Sequence, residues 1–145
     1  MFKHILIPTD GSELATQAVD KGIALAAGTG AAVTVMIVTE PFRILSTDSM
    51  QVESTRASYD ADATAHADRI LQAARAKAEA AGVSVQTHHK WHDSPYEAII
   101  DTALAEGCDL IAMASHGRRG IAAVVMGSQA TKILTHSKIP VLVYR

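Results

Sequence analysis

Short apolar runs recur along the chain, separated by longer segments whose apolar residues follow helical spacing. The runs at 4–8 (HILIP) and 32–38 (AVTVMIV) are bounded and β-branched, which predicts strands. The second run shows no alternation, as is typical of a strand covered on both faces. The runs at 109–114 (DLIAMA) and 139–144 (IPVLVY) predict two more strands. The alternating run at 83–91 (VSVQTHHKW) predicts a strand at a sheet edge.

Four helices are predicted between these strands. Ser12 can cap the first, which should stop near Gly28–Gly30. A loop is expected over 40–54 because the segment lacks periodicity and contains Pro41. A long helix with a thin apolar stripe should follow over 55–81.

Ser94 as N-cap and Pro95 at the first helical position predict a third helix that ends at Gly107. Residues 128–136 form the fourth. The order βαβαβαβαβ predicts a parallel sheet with helices on both faces. Ligands of such folds bind at the carboxyl ends of the strands, near a topological switch point. The chain shows no repeat or linker, so residues 1–145 are expected to form one domain.

Composition narrows the function classes. The chain has 145 residues, 48% hydrophobic and 19% charged, with a formal net charge of -2, so no basic surface for nucleic acid is implied. The single cysteine, Cys108, excludes an internal disulfide, favours a reducing compartment and is expected to be a small buried residue. The N-terminus does not resemble a signal peptide, and no run approaches the roughly 18 apolar residues of a membrane span. A cytoplasmic protein without a membrane partner is expected.

The segment from Met113 to the C-terminus carries the most specific chemistry. A strand leads through a glycine-containing loop to Gly127 and Ser128 at a helix start, and another strand follows. Backbone N–H groups at a helix start lack partners, and the helix dipole favours negative charge there. Glycine permits a phosphate to approach where a Cβ would block it. The pattern therefore predicts an anion cradle for a nucleotide.

The motif itself runs from Ala114 through Gly117, then nine residues, then Gly127-Ser128, and no Walker A pattern is present. In these residues, together with the opening ILIPTDGS and the closing KIPVLVYR, the chain resembles the nucleotide-binding branch of the universal stress protein family. That branch carries GxxG, nine residues and G[ST] at this place. The resemblance covers the whole chain.

The resemblance implies an α/β fold of the adenine-nucleotide alpha-hydrolase type, an open five-stranded parallel sheet of order 3-2-1-4-5 with helices on both faces. It also implies a stress-response or signalling module that binds ATP or AMP at the carboxyl ends of strands 1 and 4. Mg²⁺ or Mn²⁺ would accompany the phosphates without a dedicated protein site. A homodimer should form through antiparallel pairing of the last strand with its twin.

Site residues follow from the same resemblance. The nucleoside would be lined at the end of strand 1, with Asp10 accepting hydrogen bonds from the ribose or base, and adenine would meet Val38. The N–H groups of the fourth helix start would face the outer phosphates, and Ser128 would add its hydroxyl. The candidate nucleotide-binding residues are Pro8, Thr9, Asp10, Val38, Met113, Ala114, His116, Gly117, Gly127, Ser128 and Gln129. No metal ligand and no catalytic residue is assigned.

One departure keeps alternatives open. Ala114 stands where the family pattern has its first glycine, and its methyl group could be tolerated or could narrow the ribose-phosphate pocket. A nucleotide-independent dimeric interaction module is favoured by Ala114 and opposed by Gly117, Gly127 and Ser128. A slow ATP hydrolase is the other alternative, although only Asp10 lies near the phosphates as a candidate base.

Three further features have plain interpretations. Arg118 and Arg119 could screen phosphate charge or belong to a solvated loop. His88 and His89 should lie on opposite faces of a strand, and His92 on the face of His88, which does not favour a metal site. The polar stretch 43–68 is interpreted as a surface loop and helix rather than a flap over the pocket.

Overall fold

The computed structural model describes residues 1–43, 49–117 and 126–145, and of residues 49–51 it describes the backbone. The described residues form a five-stranded sheet of order β3-β2-β1-β4-β5 in which all neighbours are parallel, as predicted. The elements are β1 (His4–Pro8), α1 (Glu13–Thr29), β2 (Ala32–Thr39), α2 (Ser49–Ala80), β3 (Val85–Trp91), α3 (Pro95–Ala105), β4 (Leu110–Ala114), α4 (Ser128–His136) and β5 (Val141–Tyr144).

Two hydrophobic layers cover the sheet, one on each face. Ile5 and Ile7 of β1 belong to the layer that α1 and α2 close. Leu6, between them, belongs to the layer that α3 and α4 close. Successive strand residues point to opposite faces, so a strand buried on both sides must be apolar throughout. That requirement explains the continuous apolar runs in the sequence.

The switch point of the sheet lies between β1 and β4. Ile5 of β1 pairs with Val33 of β2 on one side and with Leu110 of β4 on the other. From β1 the chain enters α1 on one face, and after β4 it reaches α4 on the other. The carboxyl ends of β1 and β4 therefore open into a crevice between diverging chains, where ligands of such sheets bind.

The helix α2 begins earlier than the sequence pattern predicts. It starts at Ser49, whereas a loop was expected as far as residue 54, so that boundary was wrong. The side chains of residues 53–58 are all exposed. A helical segment that buries no face has no apolar period, and so gives no periodic signal. The strands β3 and β5 each begin two residues later than predicted.

The two predicted N-cap residues, Ser12 and Ser94, differ in whether their side chains form the capping hydrogen bond. The Ser12 hydroxyl accepts a hydrogen bond from the Ala15 N–H at 3.3 Å, so the predicted cap of α1 is confirmed. Ser94 occupies the N-cap position of α3, but its side chain makes no capping hydrogen bond.

Cys108 is buried, as predicted. Burial, reinforced by the charges of Glu106 and Asp109, raises the pKa of its thiol to about 11. The thiolate is the reactive form of cysteine, so this side chain acts as a small apolar group.

Candidate functional site

Three short segments meet at the carboxyl ends of β1 and β4. They are the loop at 9–12 after β1, the segment 115–117 after β4, and Gly127-Ser128 at the start of α4. The sequence separates the first from the others by about a hundred residues. The parallel sheet brings them together because β1 and β4 are neighbours.

The loop after β1 is held by its own hydrogen bonds. The N–H of Thr9, a buried residue, donates to the Met36 carbonyl at 2.9 Å. The Thr9 hydroxyl accepts from the Gly11 N–H at 3.2 Å, and Asp10 Oδ1 accepts from the Ser12 N–H at 2.9 Å. Gly11 has a φ of +79°, a conformation that side chains with a Cβ rarely adopt. The backbone thus sets the direction of the Asp10 carboxylate.

Gly117 lies against that carboxylate. A Cβ at position 117 would overlap Oδ2 of Asp10, with the Asp10 Cγ only 3.1 Å away. The loops after β1 and β4 can touch in this way only because residue 117 has no side chain. The contact leaves the Asp10 carboxylate beside exposed backbone, an arrangement suited to a ribose hydroxyl or a polar base edge.

Gly127 is also confined, although less closely. A Cβ there would lie 3.2 Å from His116 Cα and 3.3 Å from the Ser115 carbonyl oxygen, both backbone atoms. The Gly127 N–H donates to that Ser115 carbonyl at 2.7 Å. This N–H, which was expected to face the outer phosphates, is used in the structure to join α4 to the strand β4.

The N–H groups left for an anion are those of the next residues. Intrahelical bonding starts with the Thr131 N–H, which donates to the Gly127 carbonyl at 3.0 Å. The first-turn donors of Ser128 and Gln129 have no intrahelical acceptor. Ser128 is exposed, and α4 directs the positive end of its dipole here. An anion can be bound at this end of the helix without a charged side chain.

Sequence comparison identifies the family. The model described as the universal stress protein family matches residues 1–145. The Thermus aquaticus protein named universal stress protein in QAH/OAS sulfhydrylase 3′ region is 30% identical over 148 residues, which cover 100% of each chain. This chain belongs to the universal stress protein family.

Solved structures agree with the fold. The structure of the hypothetical protein MJ0577 superposes with a TM-score of 0.82 at 28% identity, covering 99% of this chain and 95% of that one. A universal stress protein crystallised in complex with cAMP superposes with a TM-score of 0.71 at 23% identity, covering 99% of this chain and 97% of that one. At that identity the second likeness shows the fold alone.

Ala114 stands in place of the first glycine of the universal stress protein pattern. Ala114 is buried and packs with Ala15 and Ala18 of α1, in a small cluster that Leu14 and Tyr144 close. The preceding residue, Met113, packs in the opposite layer beside α4. The Ala114 methyl group therefore points towards α1, on the face of the sheet away from α4.

The remaining predicted residues differ in what they can contribute. Met113 is buried in the core, and Val38 packs against the same layer at the carboxyl end of β2, where part of its surface stays accessible. Pro8 ends β1 opposite Met36. His116 is half-buried, with Nδ1 3.1 Å from the Ser115 hydroxyl. Met113 can therefore serve a ligand only through its backbone.

The side chain of Gln129 helps to cap the helix α3. Its Oε1 accepts a hydrogen bond from the Tyr96 N–H at 3.0 Å, in the first turn of α3. Gln129 thereby supplies the cap that Ser94 does not. Its backbone N–H has no intrahelical acceptor and can still meet a ligand. Arg118 and Arg119, which were considered for phosphate screening, lie outside the described residues.

Sequence reasoning missed the part that α2 plays next to the site. A Cβ at Gly11 would overlap Ile70 Cδ1 and would lie 3.8 Å from His66 Nε2. Further along the sheet edge, the Tyr59 hydroxyl donates to the Glu40 carbonyl at 2.6 Å, and its ring lies between those of Phe42 and Trp91. The only sign of this in the sequence is that the polar helix α2 contains isolated large side chains, such as Tyr59 and Ile70.

The three clustered histidines each have a different partner. His88 Nε2 lies 3.0 Å from Glu106 Oε1, His89 Nε2 lies 2.7 Å from the Thr39 hydroxyl, and His92 Nδ1 accepts from the Ser94 N–H at 2.8 Å. Partial burial lowers the pKa of His89, and the charge of Asp68 opposes that shift. Across the described ranges, no group of three or more His, Cys, Asp or Glu residues could hold a metal ion. None of the helices in those ranges is long and apolar enough to cross a membrane.

Proposed function

We propose that this universal stress protein binds an adenine nucleotide, ATP or AMP, at the carboxyl ends of β1 and β4, and signals stress through its nucleotide-bound state. Residues 1–145 act in this proposal as one cytoplasmic domain. Universal stress proteins of the same fold have been crystallised with cAMP and with dAMP, so adenine nucleotides are the ligands to test first.

One observation carries the proposal: a Cβ at Gly117 would overlap the Asp10 carboxylate, and a Cβ at Gly127 would crowd the backbone of Ser115 and His116. Gly117 permits contact with the Asp10 carboxylate, and Gly127 permits α4 to start against the backbone of His116. The result is a polar cradle with a helix start beside it, at the switch point of the sheet.

Roles follow from these positions. The accessible part of Val38 and the end of β1 suit adenine, and the Asp10 carboxylate suits a ribose hydroxyl. The backbone of Gly117 lies where the first phosphate would pass. The N–H groups of Ser128 and Gln129, with the Ser128 hydroxyl, suit the outer phosphates. Mg²⁺ or Mn²⁺ would be held by the phosphates themselves, since the described residues contain no cluster of ligands for it.

The alternative of a nucleotide-independent module loses its main support. It rested on Ala114, whose methyl group packs with Ala15 and Ala18 beneath α1. A methyl group on that side does not narrow the approach to α4. The alternative of a slow ATP hydrolase would depend on Asp10, whose Oδ1 already accepts the Ser12 N–H.

The decisive variant is Gly127→Val. A β-branched side chain must displace backbone at His116 and Ser115, and with it the first turn of α4. Loss of the two N–H contacts at Ser128 and Gln129, each worth about 1.5–3 kcal/mol to a charged group, should weaken ATP about 100-fold or more. Titration calorimetry with ATP and AMP measures the effect.

Gly28→Val is the matched control. Gly28 lies in α1 with open space around it, so the same substitution should leave ATP affinity unchanged. Circular dichroism checks that both variants fold. ATP binding by folded Gly127→Val with the wild-type constant would place the phosphates elsewhere. A wild-type protein that binds no adenine nucleotide, and releases none on denaturation, would favour the nucleotide-independent module.

A further inference from the structure

A half-open cleft of about 210 Å³ lies between α1 and α2, beside the candidate nucleotide site, with which it shares Thr9 and Gly11 of the loop after β1. Its walls are mainly apolar, with Val19 from α1 and Ile70, Ala73 and Ala74 from α2. Gly11 also lines the cleft, and Ile70 lies against that glycine. The cleft exists because small residues line it where two helices would otherwise meet.

Two cations also line the cleft, and they differ in their partners. Lys77 Nζ lies 2.7 Å from Asp20 Oδ1, so its charge is balanced. Arg69 forms no ion pair with any acidic side chain within the described ranges. By contrast, Arg75 on the same helix pairs with Glu79 at 3.9 Å and donates to the Thr87 hydroxyl at 3.0 Å. The cleft thus combines an apolar interior with one uncompensated positive charge.

We propose that this cleft binds a small monocarboxylate with an apolar body, its carboxylate on Arg69 and its body between Val19 and Ala74. An apolar cavity of about 150 Å³ accommodates benzene, so this volume suits a body of roughly eight carbons. An aliphatic chain gains from leaving water, and a single negative charge complements the guanidinium. A larger anion such as a nucleotide exceeds the volume and meets no second free cation among the described residues that line it.

Because of its position, a ligand bound in the cleft would affect the loop that orients the Asp10 carboxylate. Gly11 lines the cleft, and the neighbouring Asp10 contacts Gly117 in the candidate nucleotide site. A ligand that presses on Gly11 or Ile70 therefore bears on the loop that orients the Asp10 carboxylate. This coupling, unlike the binding itself, rests on the proposed function. By thermodynamic reciprocity, the nucleotide must change the carboxylate affinity by the same factor.

The binding is tested with octanoate on the full nucleotide-free chain, by following backbone amide shifts in two-dimensional NMR. Octanoate at millimolar concentration should shift the amides of Gly11, Val19 and Ala74 in a saturable way. Butyrate, which lacks most of the body, and octan-1-ol, which lacks the charge, should bind more weakly. Unshifted amides at these residues, or equal binding of all three probes, would overturn the proposal.

Two variants with matched controls locate the ligand. Ala73→Phe fills the cleft from an exposed position and should weaken octanoate at least tenfold, whereas Ala76→Phe, exposed on the same helix outside the cleft, should not. Arg69→Gln should weaken octanoate about two- to fivefold, the effect expected of an exposed charge pair. Arg56→Gln removes an exposed charge from the same helix and should have no effect. Equal affinities in Ala73→Phe and wild type would refute the site.

A second titration separates the coupling from the nucleotide proposal. ATP affinity is measured with and without saturating octanoate, in wild type and in Ala73→Phe. The expected result is a change in ATP affinity in wild type alone. An unchanged ATP affinity in wild type would refute the coupling and leave the carboxylate site. Absence of ATP binding would refute the proposed function, with octanoate binding still decided by the NMR titration.

Discussion

At the scale of single residues, the candidate site depends on two positions, Gly117 and Gly127, that have no side chain. Gly117 and Gly127 were predicted to matter from their spacing, and the structure gives the contacts that a Cβ would violate. The hydrogen-bond partners of Gly127 and Gln129 were less predictable. The Gly127 N–H bonds the Ser115 carbonyl and the Gln129 side chain caps α3, because both depend on residues brought close by the fold.

Ala114→Gly tests the direction of one methyl group. Because that methyl packs with Ala15 and Ala18, its removal should leave ATP affinity within about twofold of wild type. The protein should lose about 1–2 kcal/mol of unfolding free energy, from the lost buried methyl and the added backbone freedom of glycine. Calorimetry and urea denaturation give the two quantities.

The opposite outcome for Ala114→Gly is informative. A clear gain in ATP affinity without loss of stability would mean that the methyl group narrows the pocket. Ala76→Gly, at an exposed position in α2, serves as control for the backbone effect, since it removes a methyl group that is not buried.

At the scale of elements, strands were predicted well and one helix boundary poorly. Strands buried on both faces carry their signal in consecutive residues, as at 32–38. Residues 53–58 of α2 are all exposed, so this part of the sequence carries no periodic apolar signal. The cap of α3 comes from a residue 33 positions away, which no local pattern can reveal.

The carboxylate of Asp109, just before β4, accepts hydrogen bonds from backbone N–H groups at the start of β1. Burial opposes ionisation of Asp109, but hydrogen bonds from the N–H groups of His4 and Lys3 outweigh it, and its pKa falls below the ordinary 3.8. A lowered folded pKa means stabilisation that is complete above the unfolded pKa. This stabilisation is lost as the pH falls through the folded value.

Asp109→Asn should therefore destabilise the protein at neutral pH and matter less in acid. We expect a loss of about 1 kcal/mol at pH 7, small for charged hydrogen bonds because the carboxylate is largely solvated. The difference from wild type should shrink as the pH falls below 3.8. Urea denaturation across pH measures it, with Asp101→Asn, exposed on α3, as control. A difference that stays constant down to the lowest pH would contradict the role of the charge.

At the scale of the whole molecule, the sheet separates two regions. One layer, under α1 and α2, contains the cleft and the Ala114 cluster, and the other, under α3 and α4, supports the proposed phosphate cradle. The site lies at the centre of the sheet, and β5 lies at its edge. Nothing in the sequence pattern of one strand reveals this division, since it follows from strand order.

We predict that the protein is a homodimer in which β5 pairs with its twin. An edge strand exposes unpaired N–H and C=O groups, and β5 adds Leu142, which is 36% exposed. Val143 is partly buried against the layer beneath α3 and α4, so a charge there would disturb folding as well as pairing. Leu142→Lys is the sharper variant, because two-fold symmetry brings two added charges near each other. The dimer dissociation constant should rise at least about tenfold.

Light scattering over a concentration series separates this prediction from general loss of solubility. Leu104→Lys is the matched control: Leu104 is 61% exposed on α3, away from the sheet edge, and its substitution should leave the dimer intact. Both variants should keep the wild-type midpoint of urea unfolding when measured as monomers, since neither side chain belongs to a buried layer. A wild-type monomer at tens of micromolar would contradict the dimer. Equal weakening by both lysines would place the interface away from β5.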